Sequence, residues 1–186
     1  MRLDDFLPAY HFHEVHSIRV HAAPDRVFRA VKAVTAREIR LLGLLLGIRS
    51  LPARLLGKSR PASGEDAPIL NAMARSGFLL LAEEADGEMV LGTIGRFWKP
   101  AGNKPVKIAD AQQFLAFEHP GYAKVAMNFR VEDEGPGSSK VSTETRILAT
   151  DPAARRKFAL YWSVIHTGSA LIRRMWLRAV KKRAEA

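Results

Sequence analysis

From Glu14 to His21 apolar and polar positions alternate, with Ile18 and Val20 on one side and Ser17, Arg19 and His21 on the other. A period of two is that of a strand buried on one face, so the first strand is placed here. His16 falls on the Ile18 and Val20 side. Pro24 suits the first turn of a helix and Asp25 its positive end, which predicts a helix from Pro24 to Val34. Its buried positions are Val27, Phe28, Val31 and Val34. Thr35 and Glu38 stand at capping-box spacing, so a second helix is expected, with Ile39, Leu42, Leu45 and Leu46 as its buried stripe.

Residues Gly57 to Pro68 carry glycine, proline and serine without apolar period, and a loop is expected there. A short helix, Ile69 to Arg75, should follow. Gly77 to Glu84 and Glu88 to Trp98 are apolar runs joined by Ala85-Asp86-Gly87, a hairpin signal. Phe114 to Glu118, Tyr122 to Glu132 and Lys140 to Thr150 read as three more strands, the last two separated by Asp133-Glu134-Gly135-Pro136-Gly137. Asp151-Pro152 then opens the longest periodic segment, with Asp151 as cap and Pro152 at the first helical position. As far as Arg183, Phe158, Tyr161, Ile165, Ile172, Met175 and Ala179 form one stripe, interrupted by Gly168 and Ser169.

The order is strand, two short helices, a run of antiparallel strands, then one helix of about 30 residues and about 45 Å. Segregated helices and an antiparallel sheet make an α+β domain. A rod of that length suits a curved antiparallel sheet wrapped around it, and a cavity between the two is the expected result. No linker or repeat divides the 186 residues, so one domain is expected, with residues 1–13 as an N-terminal extension.

The chain has no cysteine, which removes disulfides, thiol nucleophiles and Cys-type zinc sites. The N-terminus lacks the basic start and apolar run of an export signal, and a cytoplasmic location is expected. The most apolar stretch, Ile39 to Leu56, is broken by Arg40, Arg49, Pro52 and Arg54, unlike the roughly 20 apolar residues of a membrane span. Gly43 and Gly47 within it would let a helix bend, as a lid or at a membrane surface, where ordinary close packing is the plainer account. The net charge of +10 is concentrated in Arg155, Arg156 and Lys157 and in the run from Arg173 to Arg183. A solvated helix face accounts for it, and transient contact with an anionic membrane surface is the alternative. Specific nucleic-acid binding is not expected, because the second helix offers almost nothing to read base edges.

The opening Ser17-Ile18-Arg19-Val20-His21-Ala22-Ala23-Pro24-Asp25-Arg26-Val27-Phe28, with the element order, resembles the START-like (SRPBCC) superfamily. Its helix-grip fold is shared by lipid-transfer domains, the birch-pollen allergen group and polyketide cyclases. The stretch Phe158 to Arg174 is also similar to the C-terminal helix of bacterial members. The resemblance covers Val15 to Arg183 and implies an internal pocket for an apolar small molecule or lipid that is bound, carried or sensed. A cyclase or dehydratase acting on an aromatic or polyketide-type substrate is the alternative it leaves open.

His11, His13, Glu14 and His16 have the composition of a metal cluster, but His16 points away from His11 and His13 in an extended chain. No metal and no cofactor are therefore expected. His16, on the side of Ile18, is instead a candidate polar tip at a cavity rim, where a partly buried, hydrogen-bonded structural histidine is the plainer account. On the long helix Trp162, His166, Ser169 and Arg173 make a second stripe beside Tyr161 and Ile165. If that stripe faces the sheet, His166 and Ser169 orient a ligand. If it faces solvent, they are surface residues. In the strands Val125, Met127, Phe129 and Val131 should face the helix, as should Thr143, Thr145 and Ile147. Glu144, Arg146, Asn128 and Arg130 belong on the other face, as cross-strand salt bridges at an exposed surface. Among the aromatics at strand ends, Phe97 and Phe117 are candidates for a pocket mouth.

Overall fold

The alternation around Ile18 is realised in β1 (Phe12–Val20), where Glu14, His16, Ile18 and Val20 turn inward and His13, Val15, Ser17 and Arg19 turn outward. The computed structural model describes residues 1–39, 66–99 and 105–186. Among these, β1 is joined by β2 (Leu79–Glu84), β3 (Glu88–Gly95), β4 (Ala123–Asp133) and β5 (Ser139–Ala149). They form one curved antiparallel sheet in the order β1-β5-β4-β3-β2. Asp86 closes the β2–β3 hairpin at φ 55°, a left-handed conformation that aspartate tolerates better than most residues.

Register decides which side chains share a face. His16 lies opposite Thr143 and Glu14 opposite Thr145, while Met127 lies opposite both Thr145 and Leu91. The inner face thus carries Glu14, His16, Thr143, Thr145 and Met127, with Phe129 two residues further along β4.

Helix α2 (Pro24–Ala33) has Pro24 in its first turn and buries Val27, Phe28, Ala30 and Val31. The last helix, α5 (Pro152–Glu185), runs 34 residues without a break. Asp151 starts it by accepting from the backbone N–H groups of Ala153 and Ala154 at 2.8 and 2.9 Å. Its C-terminal half packs Trp176, Leu177 and Val180 against α2 and the inner sheet face. The Thr35–Glu38 capping box forms, but the described residues show it capping one 3-10 turn, Ala36–Glu38. Glu38 also pairs with Arg183 at 2.9 Å, which fastens this turn to the end of α5. Leu42, Leu45, Leu46, Gly43, Gly47 and most of the 57–68 loop lie outside the described residues. The short helix α3 (Ile69–Arg75) stands where its spacing predicts.

Two expectations are corrected. Phe114 to Glu118 is not a strand, because Ala111–Ala116 forms helix α4. The Asp110 side chain accepts from Gln113 N at 2.8 Å, and Gln113 reaches back to Ala109 N at 3.0 Å. This reciprocal cap outweighs the aromatic content of the segment. Over β3 and β4 the outer sheet face is not exposed either. Leu3, Phe6 and Leu7, around α1 (Leu3–Phe6), join Phe114 over Val90, Ile94 and Ala126.

Of the polar groups expected to be solvated on that face, Asn128 and Arg146 are buried and bonded, whereas Arg130 stays partly exposed in an ion pair with Glu132 at 3.1 Å. The Glu88 carboxylate accepts from Arg2 N at 2.8 Å, Leu3 N at 3.2 Å and Asn128 Nδ2 at 2.6 Å. Arg146 donates to Glu144 at 2.6 Å, to Asp4 at 2.7 Å and to the Leu7 carbonyl at 3.1 Å. The N-terminal residues cover the outer face over β3 and β4, while Val15, Ser17 and Arg19 on β1 stay exposed. Replacing Glu88 with Ala strands two backbone donors and an amide, so it should lower the unfolding free energy by about 3 kcal/mol. A urea titration measures this, and an unchanged midpoint would show that Glu88 does not hold the N-terminus.

Candidate ligand-binding site

The inward stripe of α5 is sealed at its ends and open in its middle. Phe158 and Ala179 are buried, whereas Tyr161, Ile165, Ile172 and Met175 keep part of their surface. Gly168 sits on the same stripe, three residues after Ile165 and four before Ile172. Among the described residues no atom lies within 4 Å of where a Cβ would stand on Gly168.

Beside Gly168 stands a cluster of polar groups contributed by the first strand and the last helix. Glu14 is only 6% exposed. One of its oxygens is 2.6 Å from His16 Nε2, and the other accepts from Ser169 Oγ at 3.0 Å. Burying a carboxylate is unfavourable unless its oxygens are hydrogen-bonded, and here each has a partner. Arg173 follows Ser169 by one helical turn. Its Nη1 donates to the Met127 thioether at 3.1 Å, and it forms no ion pair with a carboxylate among the described residues. Loss of water around the guanidinium pushes its pKa down to about 10, against the pull of nearby Glu14. Arg173 nevertheless retains accessible surface.

Two further polar atoms in this layer have no hydrogen-bond partner among the described residues, Thr143 Oγ1 and Trp176 Nε1. Thr143 neighbours His16 across the strands, and the Trp176 ring packs on Phe129 at 4.7 Å. At the N-terminal end of α5 an aromatic group closes around Phe158, with Phe12 at 5.1 Å, Tyr161 at 5.6 Å and Trp162 at 5.9 Å.

The residues singled out from sequence separate into three groups. His16, Ile18, Met127, Phe129, Thr143, Thr145, Ile165 and Ser169 lie between the sheet and α5. Phe97, Tyr161 and Trp162 belong to the aromatic group at Phe158. Phe117 and His166 are elsewhere. Phe117 packs on Tyr122 and His119 on the outer side, at an open concavity of about 530 Å³ that it lines with Val106 and Ile108. His166 is exposed and touches only the edge of the Trp162 ring among the described aromatic contacts. The polar stripe on α5 is thus split, since Ser169 and Arg173 turn in and His166 turns out. His11 and His13 are apart from His16 as well: His11 Nδ1 accepts from Ala149 N at 3.1 Å, and exposed His13 packs on Tyr10.

Glu14 and Arg173 are the site residues to which sequence reasoning gave no role in ligand binding. The signal for Glu14 was present, because it shares the two-residue period of His16, Ile18 and Val20.

A long C-terminal helix laid across an antiparallel sheet, with two elements after the first strand, is a helix-grip arrangement. The fold is helix-grip. No family model matches the chain, and no curated protein matches it. Among solved structures it is similar to a hypothetical protein of Helicobacter pylori, at 9% identity over 97% of this chain and 93% of that one, with a TM-score of 0.41. It is also similar to the Zhui aromatase/cyclase of Streptomyces, at 15% identity over 94% and 93%, with a TM-score of 0.32. A third likeness is to norcoclaurine synthase of Thalictrum flavum, at 11% identity over 90% and 94%, with a TM-score of 0.37. Likenesses of this size assign neither ligand nor reaction.

The cluster makes a specific energetic demand. Glu14→Ala leaves Ser169 and His16 without their acceptor and Arg173 without its neighbouring negative charge. The unfolding free energy should fall by about 3 kcal/mol, and Glu14→Ala with Arg173→Met should recover most of that loss. A double-mutant cycle by denaturant titration reads this, and strictly additive effects would mean that Glu14 and Arg173 do not act on each other.

Proposed function

We propose that the protein binds an apolar small molecule or lipid between the middle of α5 and the inner sheet face. The observation that carries this reading is that no described residue fills the Cβ side of Gly168 on the inward stripe, between partly exposed Ile165 and Ile172. The partly exposed aliphatic side chains of Ile165 and Ile172 favour an apolar occupant. The buried polar cluster supplies orientation, as a small number of fixed polar groups does in most apolar pockets. Carriage or sensing of the ligand is the activity this supports.

Cyclase or dehydratase chemistry needs a titratable group inside the pocket. With His166 at the surface, that reading rests on the His16–Glu14 pair, whose atoms are already bonded to one another. Binding without reaction is the function the geometry favours.

Glycine in the middle of a helix is unfavourable by roughly 0.5–1 kcal/mol relative to alanine. Where nothing occupies the Cβ position, Gly168→Ala should raise the unfolding free energy by about that amount. Gly168→Phe should fold but lose uptake of an anilinonaphthalene dye, while Val164→Phe on the exposed side of α5 should take up the dye as the wild type does. Fluorescence titration decides it. Destabilisation by Gly168→Ala, or undiminished dye uptake by Gly168→Phe, would overturn the reading.

A further inference from the structure

We propose that the ligand held beside α5 ends in a carboxylate or a comparable delocalised oxyanion, and that Arg173 receives it. This rests on the interior binding site proposed above and names the chemistry of its occupant.

Counting the polar groups around the site shows an excess of donors. Both Glu14 oxygens are engaged, one by His16 and one by Ser169, so Glu14 is not free to chelate the guanidinium. Arg173 carries a planar fork of N–H donors whose described hydrogen bond goes to the Met127 thioether, a weak acceptor. One turn further along, Trp176 Nε1 is a donor with no described partner, and on β5 the Thr143 hydroxyl is likewise unpaired. What the Arg173 fork lacks, among the described residues, is an anionic acceptor bonded to it.

A buried cation without a bonded counter-charge is unfavourable, and a methionine or leucine at position 173 would pack on helix α5 without that penalty. Groups that work against stability in this way belong to binding sites, where a ligand supplies what the chain does not. The guanidinium fork matches a carboxylate in shape and can hold both its oxygens. Charge limits the choice further. A ligand ammonium group would meet Arg173 directly, and a dianion would crowd Glu14, whereas a single negative charge can pair with the guanidinium alone. The aliphatic surface of Ile165, Ile172 and Met175 beside the fork takes the apolar remainder of the molecule.

Isothermal titration of lipid-stripped protein with octanoate and dodecanoate, and with the matching alcohols and amines, tests the assignment. The acids should bind about 10- to 100-fold more tightly than the alcohols, and the amines should bind more weakly still. Arg173→Met should bind acid and alcohol alike, and without ligand it should melt at a higher temperature than the wild type. Arg173→Lys should keep part of the preference, as a point charge without the fork. Equal binding of acid and alcohol by the wild type would overturn the role of Arg173 and leave the interior apolar site standing. A lower melting temperature for Arg173→Met would make Arg173 a structural group and overturn it too. Failure of acids and alcohols alike to bind would remove the interior site itself, and this inference with it.

Discussion

A carboxylate on the first strand, bonded to a hydroxyl on the last helix, joins the two ends of the chain across the interior. Glu14 reaches Ser169 over the width of the space between β1 and α5, and in doing so fixes where the helix crosses the sheet. The aromatic group at Phe158 and the aliphatic packing around Trp176 clamp the helix on either side of that point. Between the clamps stands Gly168, whose Cβ position no described residue approaches within 4 Å.

The same economy governs the outer face. An antiparallel sheet can leave one side to water, but here Leu3, Phe6, Leu7 and Phe114 bury it over β3 and β4. Glu88 and Arg146 act as anchors, holding backbone groups of the N-terminal residues at short range. The inner and outer polar clusters differ in one respect. Around Glu88 every carboxylate and guanidinium described is bonded to its complement, whereas around Glu14 the guanidinium of Arg173 is not. Satisfied networks stabilise a fold, and an incomplete one marks a place for a guest.

Much of this was legible in the order of residues. The period of two at Ile18 and Val20, the Asp151-Pro152 cap, the Asp86-Gly87 turn and the long apolar stripe each report a local preference that tertiary structure did not override. The α4 segment was misread because Phe114 and Phe117 suggest a strand, while Asp110 and Gln113, spaced as a reciprocal cap, carry the stronger signal. Burial of the outer face was not legible at all. Alternation shows which side chains share a side and says nothing of what arrives to cover it, and seven N-terminal residues with two aspartates do not announce a lid. Of the site, Ser169 and His16 could be found by period, and the same stripe carries Arg173, but a solvated helix face accounted equally well for it and for its neighbours Arg174 and Arg178. Helical spacing puts it one turn from Ser169, and only the sheet opposite decides that this turn faces in.

Native mass spectrometry of the protein purified gently from its own cell extract addresses the central claim most directly. An occupied interior predicts a mass above that of the 186-residue chain by one small, acidic, largely apolar molecule, released by extraction with organic solvent. A spectrum showing the bare chain alone, under conditions that preserve non-covalent complexes, would contradict it.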